Sequence, residues 1–462
     1  MTLNDDTICA VATRPGGALG IVRVSGPDAI RLTDSIFKSA SGHPLASAAP
    51  YTLSFGQIVD ADQSTVDEVL ISVFRAPHSF TGQDSTEISC HGSAYILEQV
   101  CHLLIEAGCR QAEPGEFTLR AFLAGKMDLS QAEAVADLIA SGNRATHHIA
   151  MSQLKGHFSS ELSVLREQLL QLTSLLELEL DFADHEELEF ADRTELLSLA
   201  KRADSRITEL ARSFKTGQAL KQGIPVAIVG KTNVGKSTLL NRLVKEDRAI
   251  VSDIHGTTRD TIEDTIQIKG VTFRFIDTAG IRQTADTIEQ IGISRTFAAI
   301  DKALIVIWML DSQPAPDEIE EMESHLEDKK LILAFNKSDL NTYSGFDVTA
   351  LKLPADSIRT IQISAKFNKN ITELEDLIYH VADIPEISAD TVIVTQARHY
   401  EALNSAHANL TRVIEGLNST LPGDLIAEDL RQVLNDLARI TGSAITPDET
   451  LQNIFQHFCI GK

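Results

Sequence analysis

The octet at residues 230–237, GKTNVGKS, constrains the fold of this chain more than any other feature of its sequence. An apolar run of β type, 224–229, precedes it directly, and a run of helix type, 238–243, follows it. A bound polyphosphate requires backbone N–H groups that close around it, which glycine permits, and a helix N-terminus that faces the anion. A surface turn that collects Gly, Lys and Ser by chance would lack this order. The octet therefore predicts a phosphate-binding loop in which Lys236 reaches the β- and γ-phosphates and Ser237 binds Mg²⁺.

Two short motifs downstream occur in the order that a nucleotide switch needs. The first is GTTRD at 256–260, in which Thr258 can complete the Mg²⁺ shell when a γ-phosphate is present. The second is DTAG at 277–280, which follows a short strand and places a carboxylate near the metal and a backbone N–H near the γ-phosphate. Each motif is weak alone, and their order after the phosphate loop gives them weight.

Two further motifs point to guanine as the base. NKSD at 336–339 follows an apolar run and supplies Asp339, whose carboxylate can accept from both N1–H and the 2-amino group of guanine. Adenine offers neither donor in that geometry, so the motif selects GTP over ATP. SAK at 364–366 forms a loop suited to the guanine O6. Five ordered signals, each at the end of a strand, predict a GTPase domain.

One position of the second switch departs from Ras-like GTPases. The residue after DTAG is Ile281, where Ras has a Gln that orients the attacking water. Since Ile cannot position water, hydrolysis needs another source of orientation and charge. Glu289, at an acidic helix start just downstream, is a candidate, although most exposed carboxylates are only solvated surface groups. Asn233 in the phosphate loop has an equally ordinary interpretation, as a turn residue that tolerates positive φ.

These features resemble the GTPase domain of the MnmE (TrmE) family of tRNA-modification GTPases. The resemblance rests on Asn233, the GTTRD run, DTAG with an apolar residue after it, and Glu289. It extends over essentially the whole chain through ATRPGGALGIVRVSG at 12–26, SFTGQD at 79–84, CHG at 90–92, PGEFTLRAFLAGK at 114–126 and FCIGK at 458–462. Together these segments are highly specific to the family.

The resemblance implies that a potassium ion replaces the arginine finger, an effect worth about 10³ to 10⁵ in rate for GTPases generally. It aligns the catalytic roles with Lys236 and with Glu289, which would orient the water. The Mg²⁺ ligands align with Ser237 and Thr258, and the K⁺ ligands with Asn233, Ser252, Ile254 (backbone) and Thr257. The GTP-binding set is Asn233, Val234, Gly235, Lys236, Ser237, Thr238, Ser252, Asp253, Ile254, His255, Gly256, Thr257, Thr258, Asp277, Thr278, Ala279, Gly280, Asn336, Lys337, Asp339, Ser364, Ala365 and Lys366.

The resemblance also implies a site for a reduced folate, a tetrahydrofolate derivative that donates a one-carbon unit. The aligned contacts are Arg23, Glu87, Lys126 and Lys462. Arg and Lys can bind the folate glutamate carboxylates, and a carboxylate can bind the pterin amino group. Without the family resemblance, each of these four residues would be interpreted as an ordinary surface charge. Cys459 lies beside the terminal motif, where a chemical role and a packing role are both open.

Length and periodicity predict several domains. At 462 residues the chain exceeds a single core, and leucines recur at helical spacing from 162 to 176. The expected fold class is multidomain α/β plus all-α, with a Ras-like, mostly parallel sheet in the inserted domain. The expected segments are an N-terminal α/β folate-binding and dimerisation domain at 1–118, the first part of a helical domain at 119–220, a P-loop GTPase domain at 221–384, and the second helical part with the CIGK motif at 385–462.

The composition indicates the cellular compartment of the protein and limits the ways in which it can bind nucleic acid. A net charge of −24 argues against nonspecific duplex binding, which needs Lys and Arg, but does not exclude tRNA. The longest apolar run, 303–310, is too short for a bilayer, and the N-terminus lacks a basic targeting region. Five cysteines without a CxxC pair fit a reducing compartment. We expect a cytoplasmic protein without a membrane anchor.

Two functions remain in competition. The resemblance implies a homodimer that forms a heterotetramer with an FAD-dependent MnmG-type protein and adds a (carboxymethyl)aminomethyl group at C5 of a tRNA wobble uridine. No residue of this chain shows uridine chemistry by itself. The alternative is a regulatory GTPase, such as a ribosome-assembly switch, without carbon transfer. The folate-type segments and the CIGK end favour the first function, because an assembly GTPase is expected to carry a basic RNA-binding module.

Overall fold

The computed structural model describes most of the chain and divides it into two compact units. The described residues are 6–181, 193–246, 264–276, 289–340, 348, 351–386, 388, 391–419, 421–443, 451, 454–456, 458 and 461, with the backbone alone at 177–181, 245–246, 289–295 and 355. The first unit comprises Met1–Ile139, Gln153–Ser205 and Ala402–Lys462. The second comprises Ala140–Ser152 and Arg206–Glu401. Each unit is therefore built from separate stretches of chain.

A seven-stranded sheet occupies the N-terminal part of the first unit. Its strands are β1 (Ile8–Val11), β2 (Leu19–Ser25), β3 (Phe37–Ser39), β4 (Thr52–Val59), β5 (Thr65–Phe74), β6 (Ser85–His91) and β7 (Arg110–Gln111). The spatial order is β3-β4-β5-β6-β2-β1-β7, with antiparallel neighbours except the parallel pair β1 and β7. Helices α1 (Ala29–Ser35) and α2 (Ala94–Ala107) share a core with one face of this sheet. Alternate strand residues point to that core, as expected for an antiparallel sheet covered on one side.

Further described helices belong to the first unit or extend, along the chain, from the residues of one unit into those of the other. They are α3 (Glu116–Leu123), α4 (Leu129–Ala140), α5 (Arg144–Leu154), α6 (His157–Asp181), α7 (Arg193–Gln222), α12 (Ala397–Asn418) and α13 (Gly423–Thr441). The stripe of leucines predicted on α6 is buried at all five positions, Leu162, Leu165, Leu169, Leu172 and Leu176. This face of α6 packs against α13. Two stretches far apart in sequence thus share one helical core, because neither amphipathic helix can bury its apolar stripe alone.

The second unit contains a six-stranded sheet. Its strands are β8 (Ile224–Val229), β9 (Asp264–Ile268), β10 (Val271–Phe275), β11 (Ile305–Leu310), β12 (Lys330–Phe335) and β13 (Ile358–Gln362). They are ordered β13-β12-β11-β8-β10-β9, and every pair is parallel except the β9–β10 hairpin. The described helices that alternate with these strands are α8 (Lys236–Glu246), α9 (Glu289–Lys302) and α10 (Pro316–Leu326), and α11 (Ile371–Val381) follows the last strand.

Both faces of this second sheet are covered. Strand β11 is buried at all six positions, and separate apolar clusters lie on the two sides of the sheet. Continuous apolar strands are typical of parallel sheets with helices on both faces. The predicted fold class, α/β plus all-α with a mostly parallel sheet in the inserted domain, is therefore confirmed. Among the described residues, no helix is long and apolar enough to span a bilayer.

Candidate nucleotide-binding site and a second polar cluster

The loop between β8 and α8 has the backbone that phosphate binding requires. Gly230 and Gly235 lie at φ 139° and 106°, where side chains are disfavoured. A Cβ at Gly230 would collide with the Met309 carbonyl oxygen, so the backbone closes tightly against β11. Asn233 takes the left-handed conformation at φ 62°, which Asn tolerates. The loop then leads into α8, whose first residue is Lys236, so a helix N-terminus opens onto the loop.

Lys236 folds back over this loop. Its Nζ donates hydrogen bonds to the carbonyl oxygens of Gly230 at 2.5 Å and Lys231 at 2.7 Å. Burial lowers the pKa of Lys236, because desolvation disfavours the ammonium ion. An anion bound in the loop would offset that cost. The arrangement holds one partly desolvated positive charge where the octet predicts phosphates.

Asn336 joins the phosphate loop to the base-recognition loop. It follows β12 and is buried, and its Nδ2 donates to the Val234 carbonyl oxygen at 2.7 Å. Its Oδ1 accepts from the Ala365 N–H at 3.0 Å. One side chain therefore fixes the distance between the loop expected to hold phosphates and the loop expected to contact the base.

Asp339 lies next to the same loop. The Ser364 hydroxyl donates to Asp339 Oδ1 at 2.7 Å, and Ser364 itself is fully buried. Within the described ranges, Asp339 Oδ2 has no hydrogen-bond partner. The adjacent Lys337 is held by an ion pair with Asp311 at 2.5 Å. Ser364 thus orients the Asp339 carboxylate by one oxygen and leaves Oδ2 able to accept from a base.

The structure brings twelve of the predicted nucleotide residues to one edge of the sheet, beyond the carboxyl ends of β8, β12 and β13. They are Asn233, Val234, Gly235, Lys236, Ser237, Thr238, Asn336, Lys337, Asp339, Ser364, Ala365 and Lys366. Ligands of open α/β sheets bind at this edge. The remaining predicted residues lie outside the described part of the chain: Ser252, Asp253, Ile254, His255, Gly256, Thr257, Thr258, Asp277, Thr278, Ala279, Gly280, Cys459 and Lys462. Glu289 is the first residue of α9, and only its backbone is described.

Two residues near this site had not been predicted. Arg242 of α8 donates to the carbonyl oxygens of Ala365 at 3.4 Å and Lys366 at 3.1 Å. Asp311 follows β11 and pairs with Lys337. Asp311 could have been proposed as a site residue from the sequence, since it is a polar residue at the end of an apolar strand. Nothing in the sequence indicates the role of Arg242, because its partners lie more than 120 positions away in the chain.

A second polar cluster lies in the first unit, around Arg23. The register of β2 and β6 places Arg23 directly opposite Glu87. Arg23 Nε and Nη2 donate to Glu87 Oε1 at 2.9 and 2.7 Å, and Nη1 donates to the Gly461 carbonyl oxygen at 3.2 Å. The guanidinium carbon lies 5.8 and 5.7 Å from the ring centres of Phe80 and Phe117. A charged pair, two aromatic rings and the end of the chain therefore meet at one place.

Two further segments lie near this cluster, the one that leads to Gly461 and the one that carries Lys126. Phe455 and Phe458 pack into an apolar cluster with Leu129, which fixes the segment before Gly461. The Lys126 side chain lies against Gly82, two residues beyond Phe80 in sequence. Of the four predicted folate contacts, Arg23 and Glu87 touch each other, Lys126 borders the loop at 80–83, and Lys462 lies outside the described residues.

An ionic network centred on Arg120 supports this loop. Arg120 is almost fully buried and donates to Gln83 Oε1 at 3.1 Å, to Asp6 Oδ1 at 2.6 Å and to Glu116 Oε1 at 2.8 Å. Arg110 also binds Asp6 and Glu116. Burial alone would raise the pKa values of both carboxyl groups, but the hydrogen bonds from Arg110 and Arg120 outweigh burial and lower them. The lowered pKa values favour the ionised carboxylates, and the network connects Asp6, α3 and the 80–83 loop.

Comparisons with known proteins agree over the whole chain. The family model described as "GTP-binding protein TrmE N-terminus" matches residues 7–126, and "MnmE helical domain" matches 129–459. A relative from Phocaeicola vulgatus named "tRNA modification GTPase MnmE" is 55% identical, covering 100% of this chain and 99% of its own. Relatives of the same name from Bacteroides thetaiotaomicron and Porphyromonas gingivalis are 54% and 48% identical, with 100% of this chain and 100% and 99% of theirs covered. The chain therefore belongs to the MnmE (TrmE) family.

Proposed function

We propose that this chain is a potassium-activated GTPase that acts in the modification of tRNA. In this proposal it works with an FAD-dependent MnmG-type partner to add a (carboxymethyl)aminomethyl group at C5 of the wobble uridine, with a reduced folate as one-carbon donor. The names of its relatives support the tRNA role. The observation that carries the GTPase role is Asn336, which joins a closed phosphate loop to the loop beside Asp339.

Guanine selection rests on Asp339. Ser364 holds Oδ1, so Oδ2 is oriented by a buried partner and can accept from the base. A carboxylate matches the two donors of guanine, whereas xanthine presents a carbonyl in place of the 2-amino group. Asp339→Asn should therefore move the binding preference from GTP to xanthosine triphosphate, measured by equilibrium binding of both nucleotides. A variant that still prefers GTP would refute this base site.

The phosphates would bind in the loop at 230–235. Lys236 would exchange its two carbonyl acceptors for phosphate oxygens, whose negative charge makes them stronger acceptors for an ammonium group. Ser237 stands in the first turn of α8, where its hydroxyl fits a ligand of Mg²⁺, with Thr258 as the second. Bound Mg²⁺ supplies positive charge to the β- and γ-phosphates.

The proposed K⁺ ligands are Asn233, Ser252, the Ile254 carbonyl and Thr257. Asn233 fits this role, because it is exposed at the loop and its side-chain oxygen is a suitable ligand for a cation. Bound K⁺ supplies the charge that an arginine finger supplies elsewhere. Glu289 would hold the attacking water, and its position at the start of α9 places it just after the second switch segment. This assignment accounts for Ile281 at the position of the missing Gln.

The reduced folate would bind at the Arg23 cluster. Glu87 uses Oε1 for Arg23, and in the part of the chain that the structure describes its Oε2 accepts no hydrogen bond, so it can accept from a pterin amino group. Lys126 and Lys462 would meet the glutamate carboxylates. Phe80 and Phe117 flank the guanidinium, and Phe80, which is 41% exposed, offers flat apolar surface. Cys459 would lie between the packed Phe458 and Gly461, and both a chemical and a packing role fit there.

Homodimer formation is supported by an exposed apolar face on the first sheet. Tyr51, Leu53, Phe55 and Leu70 are 65%, 66%, 53% and 42% exposed. Alternate residues of a strand share a face, and Phe55 pairs directly with Leu70 on the neighbouring strand. Contiguous apolar surface of this kind marks an interface. We propose that a second copy of the chain covers it and that two such chains join two MnmG-type subunits.

In this proposal, each segment of the chain has its own role. Folate binding and dimerisation belong to 1–118, nucleotide hydrolysis to 221–384, and the helical parts that connect them to 119–220 and 385–462. The protein would work in the cytoplasm, where cysteines remain reduced. Mass analysis of wobble uridines in tRNA from cells that lack the protein tests the whole proposal. Unchanged nucleosides would leave only the regulatory GTPase.

A further inference from the structure

We propose that Arg242 is a positioning residue for guanine recognition, because it orients the peptide bond between Ala365 and Lys366. The inference rests on the proposed GTP site and adds a residue that none of its motifs contains. Arg242 lies on α8, which begins at Lys236. It therefore connects the helix that carries the phosphate-binding lysine to the loop beside the base.

Arg242 holds two successive carbonyl groups. Its Nε donates to the Ala365 oxygen at 3.4 Å and its Nη2 to the Lys366 oxygen at 3.1 Å. A guanidinium can do this because its donors form a rigid planar fork. The two contacts fix the direction of both carbonyl groups relative to α8.

Fixing a carbonyl group also fixes an N–H group. The peptide unit is planar and trans, so the Ala365 carbonyl and the Lys366 N–H lie in one plane and point in opposite directions. When Arg242 holds that carbonyl toward α8, the Lys366 N–H is directed away from α8. Rotation of this peptide would turn the N–H out of its present direction and would break the Arg242 contact.

The Lys366 N–H is the donor that the loop leaves available. The Ala365 N–H donates to Asn336 Oδ1, and the Phe367 N–H donates to the Ser364 hydroxyl. Among the described residues, the Lys366 N–H has no acceptor. Guanine O6 is an acceptor, and the same loop holds Asp339 through Ser364 for the neighbouring N1–H and 2-amino donors of the base. We therefore assign the Lys366 N–H to O6 and its orientation to Arg242.

Arg242→Ala tests this assignment in the full-length protein. The side chain is exposed, so its loss should leave the fold intact. We expect GTP to bind about three- to ten-fold more weakly, as is typical for one or two lost hydrogen bonds. In turnover, KM should rise while kcat at saturating GTP stays unchanged. Arg242→Lys should recover part of the affinity, since an ammonium can reach only one of the two carbonyl groups at a time.

Base analogues separate positioning of O6 from a general loss of structure. The wild type should prefer GTP over 6-thioguanosine triphosphate, and Arg242→Ala should reduce that preference. The preference for GTP over inosine triphosphate, which reports on the 2-amino group and Asp339, should remain. If Arg242→Ala lowers the affinity equally for GTP, 6-thioguanosine triphosphate and inosine triphosphate, or does not lower it, the positioning role of Arg242 is overturned.

A matched control lies in the same unit. Arg359 is also exposed and donates to two backbone carbonyl groups, those of Asp356 and Ile358, at the start of β13. Arg359→Ala should bind all three nucleotides like the wild type, and an equal loss in this control would overturn the inference. If Asp339→Asn retains its preference for GTP, the base site itself is wrong. If Asp339→Asn switches to xanthosine triphosphate and Arg242→Ala changes nothing, only the role of Arg242 fails.

Discussion

Asn336 Nδ2 donates a hydrogen bond to the Val234 carbonyl oxygen across 2.7 Å, although the two residues stand 102 positions apart in the chain. Both are buried. The bond closes the phosphate loop from its inner side, and the other end of the same amide holds Ala365. The spacing between the triphosphate and base parts of the site is thus set inside the protein, before any nucleotide binds.

Asn336→Ala should damage both stability and nucleotide binding. It leaves a buried carbonyl group and a buried N–H without partners, at a cost of about 1 to 3 kcal/mol each. We expect a lower Tm and at least a ten-fold loss of GTP affinity, measured by thermal unfolding and equilibrium binding. Asn418→Ala is the control, because Asn418 also donates to a carbonyl group but lies exposed at a helix end. Wild-type GTP binding by Asn336→Ala would contradict the bridging role.

The sequence was sufficient to predict those parts of the nucleotide site that are local in the chain. The octet at 230–237, the strand before it and the helix after it follow from short-range rules, and the structure has them at the expected places. The contacts of Arg242 with Ala365 and of Arg120 with Asp6 could not be predicted, since each joins residues more than 110 positions apart. The strand order of the first sheet could not be predicted either, because β2 pairs with β6, and Arg23 and Glu87, which face each other there, are 64 positions apart in the chain. Periodicity indicates which face of a strand is buried, but it does not indicate the neighbouring strand.

The ionic network around Arg120 should make the first unit sensitive to acid. The pKa values of Asp6 and Glu116 are lowered in the folded protein from ordinary values of 3.8 and 4.5. Their contribution to stability is therefore fully present above pH 4.5 and is lost as the pH falls through the lower, folded-state pKa values. Glu116→Gln should destabilise the protein at pH 7 and make its unfolding free energy less dependent on pH below 4.5.

Denaturant unfolding at a series of pH values measures this effect. Glu428→Gln is the control, because Glu428 forms an exposed contact with Arg431 at 3.5 Å. Exposed ion pairs contribute little, so this variant should follow the wild-type curve. Identical pH profiles for Glu116→Gln and the wild type would show that the Arg110 and Arg120 contacts do not hold the carboxylate in its ionised form.

Glu87→Gln should weaken binding of a reduced folate without affecting GTP hydrolysis. The variant replaces a carboxylate that can accept from the pterin amino group and removes a charge-assisted bond to Arg23. We expect at least a ten-fold loss of tetrahydrofolate affinity, measured by calorimetry on the full-length protein. Glu68→Gln on β5 is the control, since Glu68 is exposed and, among the described residues, its side chain hydrogen-bonds with Gln57 alone. Equal folate binding by the Glu87 variant and the wild type would exclude this site.

The apolar face of β4 and β5 should control the oligomeric state. Leu53→Asp places a charge among Tyr51, Phe55 and Leu70, where burial against a second copy would leave it without a partner. We expect the variant to sediment as a monomer at concentrations where the wild type is a dimer. Leu425→Asp is the control, because Leu425 is 54% exposed on α13. A dimeric Leu53→Asp variant would mean that a different surface joins the subunits.

Potassium dependence is the sharpest test of how hydrolysis proceeds without a switch glutamine. Sodium is smaller than potassium, and a site built from several fixed oxygen atoms discriminates by size, so GTP turnover should be much faster in KCl than in NaCl of equal ionic strength. Asn233→Ala should keep GTP binding but lose most of the difference between the two salts, because it removes one proposed ligand at the loop. Glu289→Ala should also bind GTP, yet turn over slowly in either salt, since the water would have no orienting group. Equal GTP turnover by the wild type in KCl and NaCl would exclude K⁺ from the mechanism. Wild-type turnover by Glu289→Ala would show that Glu289 is only a surface carboxylate at the start of α9.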